Sequence, residues 1–163
     1  MTRNPKYPLE PLREHRDRGV DAATAELGDA IRTREGAEAA QRAAEEEKRA
    51  AEARAASVRA DEQSRLERGE LRASDLAQAS AWEIGATAHL DGLANEVERA
   101  ESRTTDARAA ETGARGDLAQ KKADRDVVAK DEARFHERAR KARDAAEEEA
   151  AEEVHAGTKR GDR

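Results

Sequence analysis

No cysteine occurs in this sequence, so disulfides and thiolate metal sites are excluded, and a reducing compartment is the natural expectation. Aromatic residues are almost as scarce: Tyr7, Trp82 and Phe135 make up 2% of the chain. The large rings that dominate ordinary core burial are therefore missing, and a compact globular core is not to be expected. Proline is confined to Pro5, Pro8 and Pro11, where it can open a helix without interrupting one. No stretch reaches the roughly 20 apolar residues of a membrane span, and the opening Met1 to Pro11 lacks the apolar run of a signal peptide. These absences together predict a soluble, cytoplasmic protein.

Charge is what the sequence has in quantity. Of its residues 42% are charged and 36% hydrophobic, and much of the hydrophobic share is alanine. The choice lies between disorder and extended helix, and the abundance of Ala, Glu, Lys, Arg and Leu, all good helix formers, decides for helix. The 31 basic and 37 acidic residues are mixed along the chain and leave a net charge of -6, so neither nucleic acid nor an anionic membrane surface is an expected partner.

After Pro11 an apolar or small residue recurs at alternating spacings of four and three: Ala23, Leu27, Ala30, Ala37, Ala44, Ala51, Ala55 and Val58. Arg34, Gln41 and Lys48 fill the intervening seam positions. This is a heptad with polar lapses. The pattern breaks at Glu67-Arg68-Gly69-Glu70, and Ser80-Ala81-Trp82-Glu83 has the form of a capping box, with Ser74-Asp75 as an earlier alternative. A second heptad then runs from Ala86 through Leu90, Leu93, Val97, Ala100, Thr104, Ala107, Glu111, Ala114, Leu118, Val128 and Phe135 to Ala146.

Two long helices joined by a short break should fold back on each other. In an antiparallel hairpin, facing residues have numbers with a nearly constant sum. Leu12 with Phe135, Val20 with Val128, Ile31 with Ala114 and Val58 with Leu90 all sum to about 147. The same rule sets Arg34 opposite Glu111. The expected fold class is therefore all-α, two long helices in an antiparallel coiled-coil hairpin. Its divisions are an entry segment 1–11, helix 1 at 12–67, a turn region 68–80, helix 2 at 81–156 and a frayed tail 157–163. Glycines within the helices and a seam rich in alanine predict modest stability.

Catalytic chemistry is not indicated. His15, His89, His136 and His155 are scattered, with no metal-binding spacing. The carboxylates of Glu45 to Glu47 and Glu147 to Glu149 read as solvated faces. A two-helix hairpin offers no desolvated pocket in which an acid could be tuned. No catalytic residue, metal or cofactor is expected.

Three segments carry a resemblance to a known family. They are Lys6-Tyr7-Pro8-Leu9-Glu10-Pro11-Leu12-Arg13, then Gly69-Glu70-Leu71-Arg72-Ala73-Ser74-Asp75-Leu76 leading to Ala81-Trp82-Glu83, and Val127-Val128-Ala129-Lys130-Asp131-Glu132-Ala133-Arg134-Phe135 with the charged run that follows. In their order and placement the chain resembles the FliJ/YscO proteins, central-stalk components of flagellar and virulence-type type III secretion export machines. The resemblance implies a non-enzymatic coiled coil at the cytoplasmic face of a secretion apparatus. Its partners would be a hexameric export ATPase and an export-gate membrane protein, with secretion chaperones as a further class.

By position, the resemblance makes Tyr7, Leu9, Leu12, Arg13, Arg16, Phe135, Arg138 and Lys141 the ATPase-facing candidates. The gate-facing candidates near the turn are Leu76, Trp82, His89 and Leu93. Simpler roles stand beside these: Leu12, Leu93 and Phe135 lie on the seam, where heptad apolars pack on the opposite helix. Tyr7 suits a staple over the helix entry, Trp82 could close the hairpin, and the arginines suit a solvated face. The competing reading of the whole chain is a generic coiled-coil scaffold or spacer, homodimeric through the same heptads. The Arg34/Glu111 pairing argues instead for an intramolecular hairpin.

Overall fold

The computed structural model describes residues 5–160, all of them helix or short connection with no strand among them. Two helices account for the fold: α1, Glu10–Glu67, and α2, Ala73–Arg160. The chain divides into two compact units, each built from both helices. Unit 1 comprises Met1–Glu26 with Arg115–Arg163, and unit 2 comprises Leu27–Ala114.

In unit 2 the two helices form an all-α hairpin. The chain reverses between Glu67 and Ala73, a shorter turn than the expected 68–80. Helix α1 is stopped at Gly69, which takes φ of 69°. The Gly69 amide donates to the Leu66 carbonyl at 3.0 Å and the Glu70 amide to the Arg65 carbonyl at 3.0 Å. This pair of bonds is a Schellman motif, with glycine at its left-handed position. Helix α2 starts four residues on, at Ala73, because Asp75 caps it: its Oδ2 accepts the Arg72 amide at 2.8 Å.

The expected start at Ser80 is thereby corrected. Ser80-Ala81-Trp82-Glu83 lies inside α2, and Glu83, instead of reaching back to its own helix, accepts both Nε–H and Nη2–H of Arg59 on α1 at 2.6–3.1 Å.

Most heptad positions face inward, while Ala142 and Ala146, at the end of the second heptad, are exposed. In unit 2, Ala51, Ala55, Leu93, Ala100 and Ala107 are buried, while Val58, at the turn end, stays 44% exposed. The polar lapses are accommodated by partners. Thr104, 2% exposed, donates its hydroxyl to the Ala100 carbonyl at 3.0 Å and so leaves no unmet donor in the seam. Arg34 meets Glu111 across the helices at 2.5 Å, as its register requires. Arg34 also binds Glu38 at 2.9 Å, and Glu38 accepts Arg108 at 2.8 Å. Alanine gives this seam few methylenes to bury, so each layer contributes less than the about 1.5–3 kcal/mol of a large aliphatic.

In unit 1, Val20, Ala23 and Val128 are buried. The pairing is antiparallel here too: Arg16 on α1 bonds Asp124 at 3.0 Å, and the residues ahead of it reach further along α2, Arg13 to Glu132 at 3.7 Å and Tyr7 to Asp131 at 2.7 Å. Helix α1 opens at Glu10, two residues before the expected boundary. Pro11 is tolerated in the first turn, where an amide would have no helical partner. The expected frayed tail begins at Gly157, but α2 runs on to Arg160; residues 161–163 lie outside the described residues.

Candidate functional site

Two surfaces stand out, one in each unit, both made where large apolar side chains depart from the seam. In unit 1, the segment before α1 folds onto α2. Tyr7, 4% exposed, sets its ring 5.6 Å from that of Phe135, tilted by 58°. Its hydroxyl donates to Asp131 Oδ2 at 2.7 Å. Burial, and then the bond and charge of Asp131, push the tyrosine pKa up from 10.0 to about 12. Phe135, the seam partner expected for Leu12, has the Tyr7 ring against it.

Leu12 is 37% exposed. With Leu9 and Val127, 44% and 69% exposed, it flanks a groove of about 380 Å³ whose charged lining is Lys130, Asp131 and Arg134. Arg13 and Arg16 are turned toward α2: Arg13 pairs with Glu10 and Glu132, and Arg16 with Asp124. Arg138 is exposed, and Lys141 pairs with Glu137 at 2.8 Å one turn away. The carboxyl of Glu137 is held below its ordinary range by that bond. All eight ATPase-facing candidates therefore belong to unit 1.

In unit 2 two grooves meet at Val58 and Trp82. One, of about 260 Å³, lies toward the turn and includes Leu71, Asp61, Glu62 and Asp75. The other, of about 310 Å³, runs along Ala55, Ala86 and Leu90 and includes Arg54 and His89. Trp82 is 37% exposed and Leu76 43%. Leu93, expected among the same contacts, is 5% exposed and fills the seam, so it offers no side-chain surface to a partner.

Two strongly exposed apolar residues, Val127 at 69% and Ile84 at 71%, were not among the candidates. The signal was available: each is a β-branched residue standing off the heptad register, where alanine or a charged residue is usual. Among the described residues no group of three or more His, Cys, Asp or Glu is placed to hold a metal ion, and no helix is long and apolar enough to cross a membrane.

No family model, no curated protein and no solved structure matches this chain.

Proposed function

We propose that this chain acts as a non-enzymatic central stalk of a type III secretion export apparatus, with unit 1 engaging a hexameric ATPase and the turn end of unit 2 contacting a membrane export gate. One observation carries the reading. The segments Lys6–Arg13 and Val127–Phe135, which supply two of the three parts of the FliJ/YscO resemblance, lie far apart in sequence yet form a single surface, locked by the Tyr7–Asp131 bond and the Tyr7–Phe135 ring contact. That surface keeps Leu9, Leu12 and Val127 exposed beside Lys130 and Arg134. An apolar centre with charged edges is the composition of a protein-binding patch.

A two-helix insert lacks sixfold symmetry. Seated in a hexamer it would meet the subunits unequally and favour different conformations in them, which couples ATP turnover to its own position. Catalytic residues would belong to the ATPase.

The test is ATP hydrolysis by an export-type hexameric ATPase, titrated with the full chain and with a variant lacking Met1 to Arg16, alongside sedimentation of the chain alone. Stimulation by a monomer that vanishes with the truncation is expected. A stable homodimer that neither binds nor stimulates the ATPase would sink the stalk reading and leave a coiled-coil spacer.

A further inference from the structure

The longest stretch of the sequence with neither lysine nor arginine lies between Arg72 and Arg99. This stretch supplies the α2 wall of the two grooves that meet at Trp82. It also carries Leu76 and Ile84, both exposed. Thinning of charge, here to carboxylates alone, combined with an accessible tryptophan is the compositional mark of an interface centre.

The charges around that centre are uneven. In the groove toward the turn, Asp61, Glu62 and Asp75 stand against one cation, Arg65. Of the flanking arginines, Arg59 is committed to Glu83 and holds that carboxyl below its ordinary range, and Arg68, which also feels Asp61, is bonded to Glu70. The groove toward the turn is therefore apolar with an acidic edge, while the adjoining groove carries Arg54 and His89.

The geometry points to an amphipathic helix of a second protein as its occupant, with large apolar side chains resting on Val58, Leu71 and Trp82 and a lysine or arginine beside Asp61 and Glu62. A second copy of this chain docked by the same end would set these acids against their like. The inference gives a chemistry to the partner at the turn end, and it rests on the stalk reading only in taking that end as a contact surface.

Trp82 is the chain's one tryptophan, so its fluorescence reports this groove alone. The full chain is titrated with two synthetic helical peptides that share one leucine-rich and phenylalanine-rich face, one flanked by lysines and the other by glutamates. The lysine peptide should shift Trp82 emission to the blue saturably and bind at least about tenfold more tightly than the glutamate peptide. The D61N/E62Q variant, with its helical circular dichroism unchanged, should lose that preference. Equal affinities, or no saturable change with either peptide, overturn the proposal. So does a blue shift that grows with the chain's own concentration when no peptide is present, which would assign the groove to self-association. No ATPase enters this titration, so its failure and the failure of ATPase stimulation are separate results.

Discussion

Arg34 of α1 donates its Nε–H to Glu111 of α2 at 2.5 Å, and Glu38 accepts from both Arg34 and Arg108, so four charged side chains form a continuous path across unit 2. Glu111 is 7% exposed. A charge held that far from water depends on its partner's sign. R34E should lower the melting temperature measurably, as should E111R, and the combined swap should recover at least about half of the single-variant loss. Additive losses in thermal denaturation would show that the two residues act independently.

The Glu38 carboxyl in that path is held below its ordinary value of 4.5, first by the Arg108 bond and then by the charge of Arg34. A depressed carboxyl contributes stability that is present above its unfolded pKa and is lost as pH falls through the folded one. The acid limb of unfolding should therefore move to higher pH in R108Q, which removes the leading cause. An unchanged acid midpoint would mean that Glu38 does not sense Arg108.

Tyr7 allows the opposite pH limb to be followed directly, because it is the chain's one tyrosine. Its pKa is raised from 10.0 to about 12. The stability it contributes is complete below pH 10.0, falls as pH rises, and is gone above about 12. Tyrosinate absorbance should show a midpoint near 12 in the full chain. In D131N the midpoint should fall only part of the way back, since burial is the leading cause and persists. A midpoint at the ordinary value in the full chain would mean that the N-terminal segment is not docked.

The heptad seam, the antiparallel pairing and even the Arg34/Glu111 contact could be read from spacing, because seam position depends only on helical periodicity. The turn could not be placed correctly. Two caps competed, and the chain takes the earlier one: Asp75 accepts the Arg72 amide, while Glu83 lies inside α2 and pairs with Arg59 on the other helix. For the candidate surfaces, the sequence marked Leu9, Leu12, Leu76 and Trp82, all of them exposed. It could not tell that Tyr7 would pack on Phe135 and bond Asp131, because Tyr7 precedes the helix and has no heptad position.

Two glycines should respond oppositely to the same substitution. Gly69 has positive φ, where a Cβ is strained, so G69A should cost about 1–2 kcal/mol in denaturant unfolding. Gly36 lies within α1 with nothing within 4 Å of an added Cβ, so G36A should stabilise by up to about 1 kcal/mol. Effects of the same sign would contradict the cap.

L93A should cost about 2–5 kcal/mol, since Leu93 is 5% exposed in a seam with few other large side chains. I84A, at a residue 71% exposed, should stay within about 0.5 kcal/mol of the parent. Comparable losses for the two variants would mean that Ile84 is covered in solution.

The α1 seam from Ala37 to Ala55 alternates alanine with one polar side chain, Gln41 and then Lys48, and no aromatic or large aliphatic residue in it marks one repeat from the next. Removing one repeat from α1 together with the seven residues facing it on α2 leaves the remaining layers in phase. Each such cut would shorten both arms of unit 2 by about 10 Å. Length is then a property that can change in equal steps while the turn and its surface stay intact, so the reach of this hairpin is adjustable independently of what it binds.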